Sequence, residues 1–124
     1  MAPYSKTTPQ SQPPILSLDD IIVTRYYDVM KLRDRELELY LYGGRYPKKY
    51  PTGLEKALTR KLQMMKAATT INDLRIPPSN HLEQLKGDLA GCYSIRINSQ
   101  YRLVFHWDNK EKEATDVYFD DYHK

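Results

Sequence analysis

Apolar residues recur at helical spacing in two stretches of the first half of the chain. In residues 32–42 they fall on one helical face, and Gly43-Gly44 then ends the pattern, because glycine enters the left-handed region freely. The second stretch, residues 54–68, keeps a spacing of three or four positions throughout. Lys61 interrupts its apolar stripe, and we expect this lysine at the edge of the stripe with its ammonium in solvent. The pattern predicts two helices that each bury one face.

The period changes to strict alternation in the second half of the chain, which is typical of half-buried strands. Alternating residues occupy 93–97 and 101–107, and the turn residues 98–100 between them predict a hairpin. A further strand is expected at 114–119, and 82–85 is expected to start the series. Two helices followed by an antiparallel sheet of about four strands indicate an α+β fold, with the helices covering one face.

The N-terminal residues differ in composition from the rest of the chain. Residues 1–14 contain four prolines among Ser, Thr and Gln, and they lack the apolar run of a secretory signal. The segment 17–24 stays open, because its start suits a capped helix while its β-branched residues suit a strand. We therefore predict a partly disordered accessory segment at the N-terminus, followed by one folded domain.

The size and cysteine content of the chain bound its class. At 124 residues it is long enough for one compact domain with its own core. Cys92 is the only cysteine, and no Cys/His cluster has metal-ligand spacing, so we expect a metal-free protein of the cytoplasm without disulfides. No apolar run approaches the roughly 20 residues of a membrane span, so no membrane partner is expected.

The net charge of +3 is unevenly distributed. Residues 25–66 carry eleven Lys and Arg against five Asp and Glu, whereas residues 108–121 carry six acids against two lysines. A basic half suits a polyanion such as RNA, and a mixed surface suits a protein partner. The same charges would also suit solvated helix faces, so charge alone leaves these interpretations open.

Five short motifs lie in order along the second half of the chain. They are Asp73-Leu74-Arg75-Ile76-Pro77-Pro78, Leu82-Glu83-Gln84-Leu85-Lys86-Gly87-Asp88, Tyr93-Ser94-Ile95-Arg96-Ile97-Asn98, Gln100-Tyr101-Arg102 and Asp121-Tyr122-His123. Each is weak alone, but their order and spacing are specific. Together they resemble the HigB toxins, a branch of the RelE/ParE superfamily, over roughly residues 29–123.

The resemblance implies a microbial RNase fold, in which helices pack on a curved antiparallel sheet. It places the toxin domain over residues 27–124 and leaves residues 1–26 as the accessory segment. It implies the toxin of a bacterial type II toxin–antitoxin pair, which cleaves mRNA in the ribosomal A site and needs no cofactor. The partners would then be the ribosome, its mRNA and a helix-turn-helix antitoxin of the HigA type. Operator DNA would be reached only through that antitoxin.

RNA cleavage without a metal uses the neighbouring 2′-hydroxyl as nucleophile, so the protein must supply cations for the phosphorane and groups that move protons. The resemblance assigns catalytic roles to Lys86 and Arg102. Arg96 is expected near cross-strand register with Arg102 on the non-core face, as a secondary RNA-binding residue. From the residues alone, Lys86 is more typical of a solvated lysine before a turn, and the arginines suit a solvent-facing pair equally well.

The C-terminal residues supply further candidates. The resemblance implies that Tyr122 and His123 are catalytic, by stacking on a base or by transferring protons. It also implies that Asp121 orients His123 or another cation. The adjacent Asp120 is interpreted as incidental.

The chain departs from the family pattern near the start of the sheet. Some members carry a histidine where this chain has Glu83, and His81 would share the face of Glu83 if both lay on one strand. We count both residues as RNA-binding candidates. Leu89-Ala90 stands where relatives often carry basic residues, which lowers the RNA affinity expected of the loop.

Two other functions suit the same fold. A non-enzymatic toxin of the ParE type would poison gyrase and would need no acid–base tail. A decayed toxin would only bind its antitoxin and act as a corepressor. RNA cleavage, DNA supercoiling and growth inhibition are the measurements that separate these functions.

Overall fold

The computed structural model describes residues 30–121, so the accessory segment expected over residues 1–26 lies outside the described residues. Its helices are α1 (Arg35–Leu41) and α2 (Glu55–Ala67), with short 3-10 turns at Ile71–Arg75, Pro78–Asn80 and Gly87–Leu89. Its strands are β1 (Glu83–Gln84), β2 (Tyr93–Arg96), β3 (Tyr101–Asp108) and β4 (Glu113–Asp121). The strands form an antiparallel sheet in the order β1-β2-β3-β4, which confirms the predicted α+β fold.

Helix α1 begins later than the apolar pattern predicts, because the residues before it pair with the sheet edge. Leu32 forms a parallel bridge with Val117 of β4, and the backbone N–H of Arg33 donates to the carbonyl of Val117 at 2.7 Å. Asp34 then caps the helix, since its side chain accepts from the backbone N–H of Glu36 at 2.9 Å. The segment before α1 is therefore fixed to β4 by main-chain bonds.

Helix α2 confirms the second predicted helix to within one residue at each end. Leu58, Leu62 and Met65 form its buried face. Burial of a leucine side chain contributes roughly 1.5–3 kcal/mol relative to exposure, so this face is a main contributor to the stability of the domain. Among residues 30–121, no helix combines the length and the apolar character needed to cross a membrane.

The expectation that Lys61 reaches solvent from the edge of α2 is wrong. Its side chain is buried, and its Nζ donates to Oδ1 of Asn80 at 2.5 Å. Asn80 is fully buried and donates in turn from Nδ2 to the carbonyls of Leu74, at 3.1 Å, and Ile76, at 3.4 Å. Burial, together with the nearby charge of Arg60, lowers the pKa of Lys61. This polar pair joins α2 to the segment that leads into β1.

Strand β4 contains a bulge that the sequence pattern does not predict. Val104 of β3 pairs with Tyr118, and the register shifts before the next pair, at His106. Asp116, in the extra length of β4, has a left-handed backbone conformation with φ of 52°. An inserted residue reverses the alternation of faces across a bulge, and here it turns Val117 into the core.

The core lies between the helices and one face of the sheet. The strands contribute alternate residues to it, as the pattern predicts. Its fully buried large side chains are Leu37, Leu58, Leu62, Met65, Leu74, Ile95, Leu103, Phe105 and Val117. We call the opposite side of the sheet the outer face.

A polar and aromatic cluster joins α1 to the last strand. Oδ2 of Asp34 accepts from the hydroxyl of Tyr50 at 2.5 Å and lies 2.9 Å from Nζ of Lys49. The ring of Tyr50 stacks on Phe119 of β4 at a centroid distance of 4.4 Å. Burial acts to raise the pKa of Asp34, but the hydrogen bonds from Tyr50 and Lys49 outweigh burial and hold the pKa below its ordinary value.

We expect Asn80→Ala to lower the free energy of unfolding by about 1–3 kcal/mol, because it leaves the Lys61 ammonium buried without its acceptor. The double variant Lys61→Met/Asn80→Ala should recover part of that loss, with a coupling energy of about 0.5–3 kcal/mol in a double-mutant cycle measured by urea unfolding. Additive effects of the two substitutions would contradict the pairing.

We expect the contribution of Asp34 to depend on pH. Because its folded pKa lies below the unfolded value of about 3.9, its stabilisation is complete above that unfolded value and is lost as the pH falls through the folded pKa. Urea unfolding of the wild type and of Asp34→Asn should differ by about 1 kcal/mol at pH 7, because the amide loses the charge-assisted bonds to Lys49 and Tyr50, and should converge toward pH 2. A difference that stays constant or grows in acid would contradict the pairing with Lys49 and Tyr50.

Candidate active site

The outer face carries the alternate residues that the core does not use. Two of its central side chains, Ser94 of β2 and Val104 of β3, are buried and form a floor between the charged groups. The polar and charged side chains around this floor are Glu83, Arg96, Arg102, His106, Tyr118 and Asp120. The outer face is therefore the surface on which the candidate residues predicted from the sequence would have to meet.

Three charged residues form a row across the outer face, which we call the arginine row: Arg96, Arg102 and Asp120. Arg96 pairs with Arg102 across β2 and β3, which confirms the cross-strand register that the hairpin predicts. Arg102 pairs with Asp120 across β3 and β4, and its Nε donates to Oδ2 of Asp120 at 2.9 Å. The interpretation of Asp120 as incidental is wrong, since it is an ion-pair partner of Arg102.

The charges of the arginine row favour an anion. Like charges directly opposite each other in a sheet repel, and the row itself holds two guanidinium groups and one carboxylate. The Arg102 side chain is 17% exposed, so its charge acts in a partly desolvated place where electrostatic interactions are strengthened. A phosphate group that approaches Arg96 and Arg102 would complete the neutralisation with charge-assisted hydrogen bonds.

Glu83 lies next to the arginine row on the same face. It pairs with Ser94 of β2, which is two residues from Arg96 and therefore about 6.6 Å along the strand. The side chain of Glu83 is exposed. His81 is not on the strand, because β1 begins at Glu83 and His81 ends the preceding 3-10 turn in a left-handed conformation. Strand alternation therefore does not bring His81 to the face of Glu83.

Lys86 lies at the opposite end of β1 from the arginine row. The N–H of Leu85 donates to the carbonyl of Cys92, so pairing continues past the end of β1 and Lys86 follows it. Continuing the register of β1 and β2 puts Lys86 opposite residue 91. Measured along the strands, its backbone is then about five residues, or roughly 16 Å, from Arg96. Lys86 is exposed. Arg102 pairs with Arg96, so the backbones of Lys86 and Arg102, the two catalytic cations expected from the sequence, are equally far apart along the sheet.

Asp121 differs from Asp120 in its face and in its neighbours. It pairs with Tyr101 rather than with Arg102, and its Oδ2 accepts from Nε2 of Gln100 at 3.1 Å. Alternation along β4 therefore turns Asp121 away from the arginine row. Tyr122 and His123 lie outside the described residues.

A second charged group occupies the edge of the outer face, and no sequence motif points to it. Arg33 binds both carboxylate oxygens of Asp116, at 3.0 Å from Nε and 2.6 Å from a terminal nitrogen. Its guanidinium lies 4.0 Å from the centroid of the Tyr118 ring. The hydrogen bond from Arg33 lowers the pKa of Asp116. A separation of 83 residues between Arg33 and Asp116 explains why sequence spacing does not reveal the pair.

The grouping of potential metal ligands bears on whether the part of the chain that the structure describes offers a metal site. Within residues 30–121, no three His, Cys, Asp or Glu side chains are close enough together to hold a metal ion. Cys92 and His106 approach each other on the outer face, with Sγ and Nε2 3.4 Å apart.

Comparisons with known proteins agree with the family resemblance. A family model described as the RelE-like toxin of the type II toxin–antitoxin system HigB matches residues 30–123. The chain is 44% identical over 78 residues to Toxin HigB-1 of Vibrio cholerae, which covers 63% of this chain and 82% of that protein. It is 47% identical over 81 residues to an uncharacterized protein of Haemophilus influenzae, which covers 65% of this chain and 77% of that protein.

Among solved structures, the chain is similar to one in the YoeB–YefM complex from Staphylococcus aureus, with 22% identity and a TM-score of 0.45. That match covers 73% of this chain and 94% of the other. The family model alone spans well over half of the residues, including all those described. The chain therefore belongs to the HigB family of RelE-like toxins of type II toxin–antitoxin systems.

Proposed function

We propose that this toxin is a ribosome-dependent mRNA endoribonuclease that cleaves by attack of the RNA's own 2′-hydroxyl. The observation that carries the proposal is the arginine row, in which two guanidinium groups stand side by side on the outer face with one carboxylate. Arginine's planar fork suits a phosphodiester, and cations that are fixed before the reaction stabilise the charge that develops on the phosphorane.

Arg102 is the residue that we assign to the scissile phosphate. Its ion pair with Asp120 uses Nε and fixes the plane of the guanidinium before RNA arrives. Such preorganisation avoids reordering the group during the reaction, which is the source of most electrostatic catalysis. Arg96, directly across the hairpin, binds the same or the next phosphate.

Proton transfer needs groups near the arginine row that can accept and donate. Tyr122 and His123 follow Asp121, the last residue of β4, directly in the chain. We assign these residues to proton transfer and base stacking, with Asp121 orienting His123. Glu83 lies on the outer face opposite Ser94, two residues from Arg96 along β2. We assign its carboxylate to accept the proton of the 2′-hydroxyl.

Lys86 and His81 complete the proposed RNA contacts. The separation between Lys86 and the arginine row means that the Lys86 ammonium approaches the RNA from the opposite end of β1. We therefore expect Lys86 to contribute mainly to binding, and His81, in the turn before β1, to contact the RNA backbone.

The proposed partners follow from membership in a toxin–antitoxin family. We propose a helix-turn-helix antitoxin of the HigA type as the protein partner, and the ribosome with its mRNA as the target in the cytoplasm. Contact with operator DNA would then occur only through the antitoxin.

We expect Arg102→Ala to lower kcat for cleavage of ribosome-bound mRNA by about 10²–10³-fold, because one preorganised cation is lost from the transition state. Lys86→Ala should raise KM with little change in kcat. Primer extension on programmed ribosomes measures both, and Arg75→Ala, an exposed arginine in a 3-10 turn outside the sheet, is the matched control.

If the wild-type protein inhibits DNA supercoiling but leaves mRNA intact, the chain is a gyrase poison and the proposed nuclease function is wrong. Wild-type protein that neither cleaves mRNA nor slows growth in the absence of antitoxin would indicate a decayed toxin.

We expect inorganic phosphate to stabilise the folded protein relative to chloride at the same ionic strength, because it binds the arginine row. Phosphate at ten times its Kd raises the free energy of unfolding by about 1.4 kcal/mol. Asp120→Asn should respond more strongly than the wild type, since a competing carboxylate is removed, and Arg102→Ala should respond less. Equal responses in all three proteins, measured by thermal unfolding, would contradict an anion site at this row.

A further inference from the structure

Arg33 and Tyr118 contact each other at the β4 edge of the outer face. The Arg33 guanidinium lies over the Tyr118 ring, 4.0 Å from its centroid. Tyr118 precedes Asp120 by two residues in β4, so the two side chains lie on the same face of the sheet. Tyr118 is therefore about 6.6 Å along the strand from the arginine row. The stacked pair is therefore next to the proposed phosphate site and on the same side of the sheet.

Arg33 is held both at the guanidinium and at the backbone. Its carboxylate partner, Asp116, binds Nε and a terminal nitrogen at 3.0 and 2.6 Å. The backbone of Arg33 is fixed as well, since its N–H donates to the carbonyl of Val117 at 2.7 Å. A planar group held in this way loses little conformational entropy when a ligand stacks on it.

The pairing of Arg33 with Asp116 goes beyond what packing requires. The bulge brings Val117 into the core, whereas the Arg33 and Asp116 side chains are 54% and 42% exposed, and exposed ion pairs contribute little to stability. Bulges are over-represented next to active sites, where they re-aim a side chain.

We propose that the Arg33–Tyr118 pair is a stacking platform for one nucleobase of the bound RNA, adjacent to the phosphate at the arginine row. This inference rests on the proposed ribonuclease function. Aromatic rings and guanidinium planes both stack on bases, and such stacking contributes about 1–3 kcal/mol per base. Every base has a π-face, so the platform positions RNA and tolerates different sequences.

The test uses the full chain and ribosomes programmed with mRNAs that carry one abasic nucleotide at successive positions around the cleavage site. For the wild type, loss of the stacked base should raise KM by roughly 5–150-fold at one position, which corresponds to that stacking energy. Tyr118→Leu should show a similar rise on intact mRNA and no further sensitivity at that position. Tyr118→Phe, which keeps the ring, should behave as the wild type.

Two further variants separate stacking from folding. Arg33→Gln removes the guanidinium plane and leaves the sequence of β4 unchanged, so it should reduce the abasic effect even if Tyr118→Leu does not fold. Arg35→Ala, an exposed arginine at the start of α1, is the control and should keep the full effect.

The outcomes distinguish this inference from the function on which it rests. Wild-type protein that does not cleave mRNA overturns the proposed function, and the platform with it. Wild-type protein that cleaves but is indifferent to abasic substitution at every position overturns the platform alone. So do Tyr118→Leu and Arg33→Gln variants that keep the wild-type sensitivity.

Discussion

The register between β2, β3 and β4 is the constraint on which the proposed site depends. It places Arg96 opposite Arg102 and Arg102 opposite Asp120, so that two cations and one anion meet in a single row. A shift of one residue in either pairing would turn one member of the row into the core. Ile95 and Leu103, the neighbours of the two arginines, are fully buried and fix that register through the helix-covered face.

The bulge at Asp116 connects this row to the N-terminal part of the described chain. By reversing the alternation of β4, it lets Val117 enter the core while Tyr118 and Asp120 stay on the outer face. The same local geometry points the Asp116 carboxylate at Arg33, whose segment pairs with the edge of β4. One inserted residue thus serves packing, the attachment of the segment before α1, and the shape of the outer face.

Much of the fold could be predicted from the sequence, because local periodicity reports which face of a helix or strand is buried. Helix α2 and the 98–100 hairpin follow directly from it, and the hairpin turn sets the pairing of Arg96 with Arg102. Contacts between distant segments leave no such signal. The burial of Lys61 depends on Asn80, which supplies its acceptor from another part of the chain.

The candidate site divides along the same line. The pairing of the two arginines follows from the hairpin, whereas sequence order does not tell which of the adjacent acids Asp120 and Asp121 faces Arg102. The central claim is that the scissile phosphate binds at the arginine row. A cryo-electron microscopy structure of the toxin on a ribosome, with mRNA blocked by 2′-O-methylation, tests it most directly. The account predicts this phosphate within hydrogen-bond distance of the Arg102 guanidinium on the outer face, and mRNA bound on the helix-covered side would contradict it.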